Sequence, residues 1–471
     1  MLFRSNDTAT TEIYTSLHTL SLHDALPISH LVRDHDRAEA RGERDAAVVG
    51  IASRRAGGLP DGRTARQKHR HETDRQSAVL PACDPDNGGI TLPAGFCAVV
   101  VADQVGAPRH LAVAPNGDLF VALQSRPGGV LALRDTTGDG KADITERFGS
   151  EGGSGIALGK GVLYFSSTTT VYRYVIRAGS LVPLGEPDVI VRGLPNGGHA
   201  ARSLALAADG RTLFVNIGSA TNSCQVKDRS NESPGEDPCP ELAYRAGVWR
   251  FDATKDGQTQ ANGIRFATGI RNAVGLALAP SGELYATQHG RDQLGQNWPK
   301  LFTLEQNAER PSEEFFKVSE GNDYGWPYCY HDPEPGHLVL APEYGGDGKT
   351  VGRCKDKQEP LVAFPGHWAP DGLTFYRGTQ FPARFRDGAF VAFHGSWNRA
   401  PLPQAGYRVV FVPFKDGKPV GTYETFADGF WHQNGAGPQH RPVGVAVGPD
   451  GSLYITDDAA GRIWRVMYKG R

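Results

Sequence analysis

VGPDGSLYITDD, residues 447–458, is one copy of a phrase that recurs along the chain. The others are VAPNGDLFVAL (113–123), LGKGVLYFSS (158–167), LAADGRTLFVNIGS (206–219), LAPSGELYATQHG (278–290) and FRDGAFVAFHGS (385–396). Each is a small turn with Gly, then a strand that alternates apolar and polar residues. Glycine tolerates the positive φ of a tight hairpin turn, and a period of two marks a half-buried strand. Six copies, some separated by long insertions, predict an all-β fold, a six-bladed β-propeller. A β-sandwich has similar turns but rarely repeats one phrase so often. Propeller blades pack radially around a channel, and ligands bind where the loops of one face converge on its mouth. Functional residues are therefore expected in loops that precede or follow the repeat strands.

Composition agrees with many turns between short strands. The 471 residues include 59 Gly and 32 Pro, and the net charge is −2. That charge gives no general attraction to nucleic acid or to an anionic membrane. No run of eighteen apolar residues occurs, so no membrane span is expected. The six cysteines fall as neighbours: Cys83 with Cys97, Cys224 with Cys239, Cys329 with Cys354. Six cysteines allow fifteen connectivities, and sequential pairing is the simplest, because each bridge then closes a short loop. Disulfides predict an oxidising compartment, so the protein is expected to be periplasmic or secreted. No CxxC occurs, which weighs against a metal site and removes c-type haem.

The N-terminal region reads differently. NDTATTEIYT (6–15) back-translates frame for frame to AATGATACGGCGACCACCGAGATCTACAC, a sequencing-library adapter. LHDALPI (22–28) and LFRS (2–5) return CTACACGACGCTCTTCCGATC and CTCTTCCGATCT, from the same adapter. Residues 1–29 are thus expected to be translated adapter and are set aside from fold reasoning. Residues 30–80 carry no Phe, Tyr or Trp, little to bury, and read as non-native or disordered. The native start, with any signal peptide, is expected to be missing. The propeller domain is expected over 81–471.

Several loops beside the repeats carry candidate chemistry. LPNGGHAARSLAL places His199 before a repeat strand, and GIRNAVGLAL places Arg271 and Asn272 before another. TQHGRDQLG offers His289, the carbonyls of Gly290 and Arg291, and Asp292. GHWAPDGLTFY, HGSWNR and QHRPVGVAVGPDG add His367, Trp368, Arg399 and Arg441. Each reads alone as an ordinary loop residue. Together they set His and Arg around one mouth, an arrangement suited to a polyanionic ligand with a histidine base.

ITLPAGFCAVVVAD, GIRNAVGLAL, GNDYGWPYCYHD, HWAPDGLTFYRG, FVAFHGSWNR and RPVGVAVGPDGSLYITDD resemble the soluble sugar dehydrogenases that use pyrroloquinoline quinone (PQQ), in their L-sorbosone dehydrogenase-like branch. The resemblance runs from about Ile90 to the C-terminus and implies a six-bladed propeller. It implies oxidation of an aldose or sorbosone-type sugar, with PQQ and Ca2+ as cofactors and an external cytochrome or quinone as electron acceptor. By motif, His199 would be the base, and Arg271 would stabilise charge on the reduced quinone oxygen. Asn272, with His289, His367, Trp368 and Arg399, would contact PQQ, and Arg441 would pair with one of its carboxylates. The Gly290 and Arg291 carbonyls would ligate calcium, with Asp292 in support. The chain departs from glucose-oxidising members at Val443, where they carry a second arginine. YGWP (324–327) reads as packing.

Two readings compete with the dehydrogenase. A calcium-dependent lactonase would need acidic ligands on several blades, where this chain supplies His and Arg. A propeller that only binds carbohydrate or protein also fits the repeats. DTTGDGKADITE (135–146) has the acidic spacing of an EF-hand-type loop, with Thr137 at a ligand position. Read as a turn, it joins two strands.

Overall fold

A computed structural model describes residues 80–125, 127–432 and 437–470. The expectations for residues 1–29 and 30–80 fall outside these, save Leu80. Among the described residues seven antiparallel sheets form: six follow one another as the blades of a propeller, and the seventh is a two-stranded hairpin, Cys329–Asp332 with His337–Leu340. The innermost strands of the blades are Pro108–Val113, Gly153–Gly159, Leu204–Leu206, Gly275–Leu278, Pro370–Phe375 and Pro442–Val447, numbered here as blades 1 to 6. The second strands are Leu119–Leu123, Val162–Ser167, Thr212–Ile217, Leu284–Gln288, Gly388–Phe393 and Leu453–Asp457. The recurring phrases are thus the second strands, mostly with the turns that feed them. Blade 6 takes its outer strand, Phe96–Ala102, from the start of the described chain, paired with Arg462–Tyr468. That pairing closes the ring.

The second strands differ from the half-buried strands expected. Leu119–Leu123 is buried at every position. The reason is lateral stacking, which covers each sheet on both faces. Leu119, Val121 and Leu123 pack with Ala446, Tyr454 and Ile463 of blade 6. Phe120 and Ala122 pack with Ile156, Leu163 and Phe165 of blade 2. Period two therefore persists, but it divides one neighbouring blade from the other. Similar apolar clusters fill the remaining blade junctions.

Hydroxyls of three second strands tie blade 2 to blade 3, blade 4 to blade 5 and blade 6 to blade 1. Ser166 Oγ donates to Arg202 O at 2.5 Å, Thr287 Oγ1 to Pro370 O at 3.0 Å, and Thr456 Oγ1 to Arg109 O at 2.6 Å. Close approach also requires glycine. A Cβ on Gly372 would stand 2.1 Å from Val443 O, and one on Gly444 2.5 Å from Arg109 O. These contacts fix the segments that lead into the inner strands, and those segments carry the site.

All three sequential disulfides form: Cys83–Cys97, Cys224–Cys239 and Cys329–Cys354. In the 135–146 turn the carboxylates serve the backbone. Asp135 accepts from the amides of Thr137, Gly138 and Gly140, and Asp143 from those of Thr136 and Thr137. No helix among the described residues is long and apolar enough to cross a membrane.

Candidate active site

Hairpin turns lie on one face of the ring. On the other lie the approaches to the inner strands and the exits from the second strands, and these hold all the candidate residues. His199 sits in the approach to blade 3. Its Nδ1 is 2.9 Å from Ser219 Oγ and 3.1 Å from the Ser219 carbonyl. Ser219 Oγ donates onward to Thr221 O at 2.7 Å. The network therefore assigns the proton to Nδ1, and Nε2 has no partner among the described residues. Burial, then the positive charge of Arg271, hold His199 well below its ordinary pKa. It is a neutral imidazole with an open lone pair.

The His199 loop is held through its carbonyls. Arg202, fully buried, donates to the carbonyls of Pro195, His199 and Ala201. Arg245 donates to those of Asn196 and Gly197. Burial and the nearby Arg245 lower Arg202 to about 10. From the exit of blade 3, Ser219 N donates to Arg271 O at 2.8 Å, linking the base to the approach of blade 4.

Arg271 is buried and multiply bonded. Nε donates to Asn222 O at 3.0 Å, Nη1 to Gly290 O at 2.8 Å, and Nη2 to Asn222 Oδ1 at 2.9 Å and Asp292 Oδ2 at 3.0 Å. Asp292 Oδ2 also accepts from Arg229, and Oδ1 from Asn398 Nδ2 at 2.9 Å. Burial alone would raise the Asp292 carboxyl, but Arg271 and Arg229 override it and hold it far below the carboxylate range. Asn272 is 7 % exposed, and its Oδ1 is buried with no partner among the described residues. A buried amide oxygen without a donor is costly, and here it adjoins the Arg271 cluster.

A second cluster spans the channel between blades 1, 4, 5 and 6. Asp371, 2 % exposed, accepts from Arg109 at 2.8 Å on Oδ2, and its Oδ1 lies 2.8 Å from His289 Nε2. Arg109 also pairs with Asp458 at 2.7 Å, and Asp458 meets His394 Nε2 at 2.8 Å. Burial opposes charge on Asp371, but Arg109, then His289, keep it ionised. Burial likewise works against His289, and the hydrogen bond and charge of Asp371 win, raising it.

The other candidates divide. Arg441 donates to His394 O at 3.0 Å and Gly395 O at 2.9 Å, and Nη1 stays unpaired among the described residues. Arg399 is satisfied by the carbonyls of Ala308, Gly366 and Pro403 and by Glu309. Trp368 packs edge-on against Phe393, beneath Arg408. His367 Nε2 bonds Asn307 O at 2.7 Å. The Arg291 side chain turns to Glu343 at 2.5 Å. The last four residues brace loops around the site. Glu343 also receives Ser223 Oγ and Trp298 Nε1, so three insertions meet on one carboxylate. Val443 is fully buried in the inner strand of blade 6. Trp326 of YGWP packs on the Cys224–Cys239 bridge and donates to Asn222 O at 2.9 Å.

Sequence reasoning missed Asn222, Ser219, Arg202, Arg245, Arg109, Asp371, Asp458 and His394. Most lie inside stretches already suspected, but burial and partner, which decide their roles, depend on distant chain.

Residues 90–469 match the model of the family described as TrAA12-like. Over 205 residues the chain is 31% identical to an uncharacterized protein of Borreliella burgdorferi, covering 43% of this chain and 48% of that one. It is 26% identical over 320 residues to the pyrroloquinoline quinone-dependent pyranose dehydrogenase of Coprinopsis cinerea, covering 58% and 40%. The chain spans less than half the length of these curated relatives. The calcium structure of a Trichoderma reesei enzyme of Carbohydrate-Active Enzymes family AA12 superposes with TM-score 0.67 at 20% identity, over 81% of this chain and 97% of that one. The holo PQQ domain of the Coprinopsis cinerea pyranose dehydrogenase gives 0.67 at 20%, over 80% and 97%. At such identity the likeness bears on the fold.

Proposed function

The chain belongs to the TrAA12-like family, and from that premise we propose that it is a PQQ- and calcium-dependent sugar dehydrogenase. The observation that carries the reading is His199: neutral, fixed through Nδ1, and open at Nε2. When bound, the quinone supplies the hydride acceptor and calcium the Lewis acid.

The residues fit a planar anion that also carries an N–H. Arg441 Nη1 lacks an acceptor, which a carboxylate would supply, and Asn272 Oδ1 lacks a donor, which the ring N–H of the quinone would supply. Arg271 brings a fixed positive charge beside both Asn272 and His199. Calcium would rest on the Gly290 and Arg291 carbonyls, oxygen donors of the kind it prefers. The Gly290 carbonyl already accepts from Arg271 and keeps a second lone pair. Asp292, spent on two arginines and Asn398, balances charge and leaves ligation to the carbonyls.

In the reaction, His199 Nε2 takes the proton of the sugar hydroxyl as its carbon loses hydride. Nδ1–H stays with Ser219, so the ring neither turns nor changes tautomer. Burial, with the charge of Arg271, keeps the resting imidazole unprotonated, and Asp292 steadies the imidazolium that forms. Trp368, Arg399 and His367 support this geometry through packing and carbonyl contacts. Three disulfides support a periplasmic or secreted site of action. Electrons leave to an external acceptor.

The test is spectroscopic. PQQ and excess calcium are added to the protein, and pyranoses, other aldoses and sorbosone are titrated in. Sugar-dependent quinone reduction that EDTA abolishes is expected. Failure to bind PQQ would overturn the reading.

A further inference from the structure

The chain has seven tryptophans, and Trp397 differs from the rest. It is 66% exposed, whereas the other six are buried or half-buried. No ring contact or hydrogen bond of its indole occurs among the described residues. A single exposed apolar side chain needs no explanation by itself. What sets this one apart is its mounting. Two residues before it, Gly395 O accepts from Arg441 at 2.9 Å. One residue after it, Asn398 Nδ2 donates to Asp292 Oδ1 at 2.9 Å. The segment that carries Trp397 therefore bridges Arg441 of blade 6 and Asp292 of blade 4, two residues of the candidate site.

The segment is also rigid. Ser396 N donates to Ala405 O, Ser396 Oγ to Gln404 Oε1 at 2.7 Å, and Tyr407 OH to Ser396 O at 2.5 Å. Arg399 follows, buried and bonded to three carbonyls. An exposed indole held this firmly has already lost the backbone freedom that binding would otherwise cost. Indole offers a large flat apolar area with few rotatable bonds. The ligand face that matches it is flat, apolar and ring-sized, with polar groups around its edge. A pyranose presents that face through its axial C–H groups.

We propose that Trp397 is the sugar platform of the site, stacking on the C–H face of a pyranose while the ring's hydroxyls face His199. The proposal rests on the sugar dehydrogenase reading and names the part of the protein that selects the substrate.

Two measurements test it on the full chain. The first is acrylamide quenching of tryptophan fluorescence, with and without pyranoses and with no cofactor added. Trp397 is the indole most open to quencher, so saturating pyranose is expected to reduce quenching in the wild type and to have no effect in Trp397→Leu. The second is steady-state kinetics with PQQ and calcium. Trp397→Ala is expected to raise the pyranose KM about tenfold, with kcat changed by less than threefold. Trp397→Phe should recover part of the loss, and PQQ binding should be unaltered. An unchanged pyranose KM in Trp397→Ala would overturn the platform, as would a rise confined to the KM of the electron acceptor. Lack of sugar oxidation with sugar-dependent shielding intact would sink the dehydrogenase and leave the platform standing.

Discussion

Ser219 holds His199 from one side only: its hydroxyl at 2.9 Å and its carbonyl at 3.1 Å both meet Nδ1. The opposite nitrogen is left for substrate. His199→Ala is expected to lower kcat by about 10²–10⁴-fold, the usual worth of a positioned general base. PQQ binding, measured by absorbance titration, should persist. Ser219→Ala should cost far less, because the carbonyl still accepts from Nδ1–H and keeps the tautomer. Equal losses in the two variants would show that Ser219 does more than orient the ring.

Burial and the charge next to His199 set its pH range. Burial and Arg271 push its pKa well below 6.5. A base works when unprotonated, so kcat/KM should stay level as pH falls through 6.5 and decline only at lower pH. Arg271→Gln removes the neighbouring charge, and its residual activity should lose its acid limb at higher pH than the wild type. A wild-type limb centred near 6.5 would contradict the arrangement.

The fold was legible because its signal is repeated and local. Turn glycines and period-two strands need no distant partner to be read. The site was less so, and one tripeptide shows why. Within the propeller, Pro-Asp-Gly occurs at 370–372 and at 449–451. At 449–451 it is the expected hairpin turn, with Asp450 bonded to Ser452 Oγ at 2.5 Å. At 370–372 it opens an inner strand, and Asp371 is buried between Arg109 and His289. Local sequence cannot separate the two, since the difference lies 262 residues away in Arg109. Arg399 teaches the same lesson in reverse. It reads as a cofactor arginine, and backbone carbonyls and Glu309 take up four of its five N–H donors. Whether a cation is free to meet a ligand depends on loops that approach it from elsewhere.

Asn272 offers a test that separates function from stability. Its Oδ1 is buried without a donor, a defect that costs about 1–3 kcal/mol in a folded protein. Asn272→Leu is nearly the same size and removes the orphan. Its melting temperature should equal or exceed that of the wild type, while PQQ affinity falls. A lower melting temperature with PQQ affinity intact would mean that Asn272 is there for packing.

Glu314 lies behind Arg271, joined to it through Gln288: Gln288 Nε2 donates to Glu314 at 2.5 Å and Gln288 Oε1 accepts from Arg271 N at 2.9 Å. Burial raises Glu314 from 4.5 to about 8. Between these values the native state holds a proton that the unfolded chain has lost. Stability therefore falls as pH rises through this window, by at most about 1.4 kcal/mol per pH unit. Glu314→Gln removes this dependence. Relative to wild type, its melting temperature should gain nothing below pH 4.5 and increasingly more up to pH 8. Glu313, also raised by burial, leaves some slope in both proteins. Identical pH profiles of melting temperature would refute the assignment.

The three disulfides should not matter equally. Cys224–Cys239 closes a separation of 15 residues, for which loop closure gives about 3 kcal/mol. Cys83–Cys97, with a separation of 14, should give nearly the same. Their surroundings differ. Cys224 follows Asn222 and Ser223, which hold Arg271 and Glu343, and Trp326 packs on its bridge. Cys97 lies on the outer strand of blade 6, away from the site. Replacing either pair by serine should lower the melting temperature to a similar degree. Only Cys224→Ser with Cys239→Ser should also weaken PQQ binding well below the melting transition, because Arg271 then loses the loop that fixes it. If both double variants bind PQQ alike when fully folded, the insertion serves stability alone and Arg271 is positioned by Asp292 and Gly290.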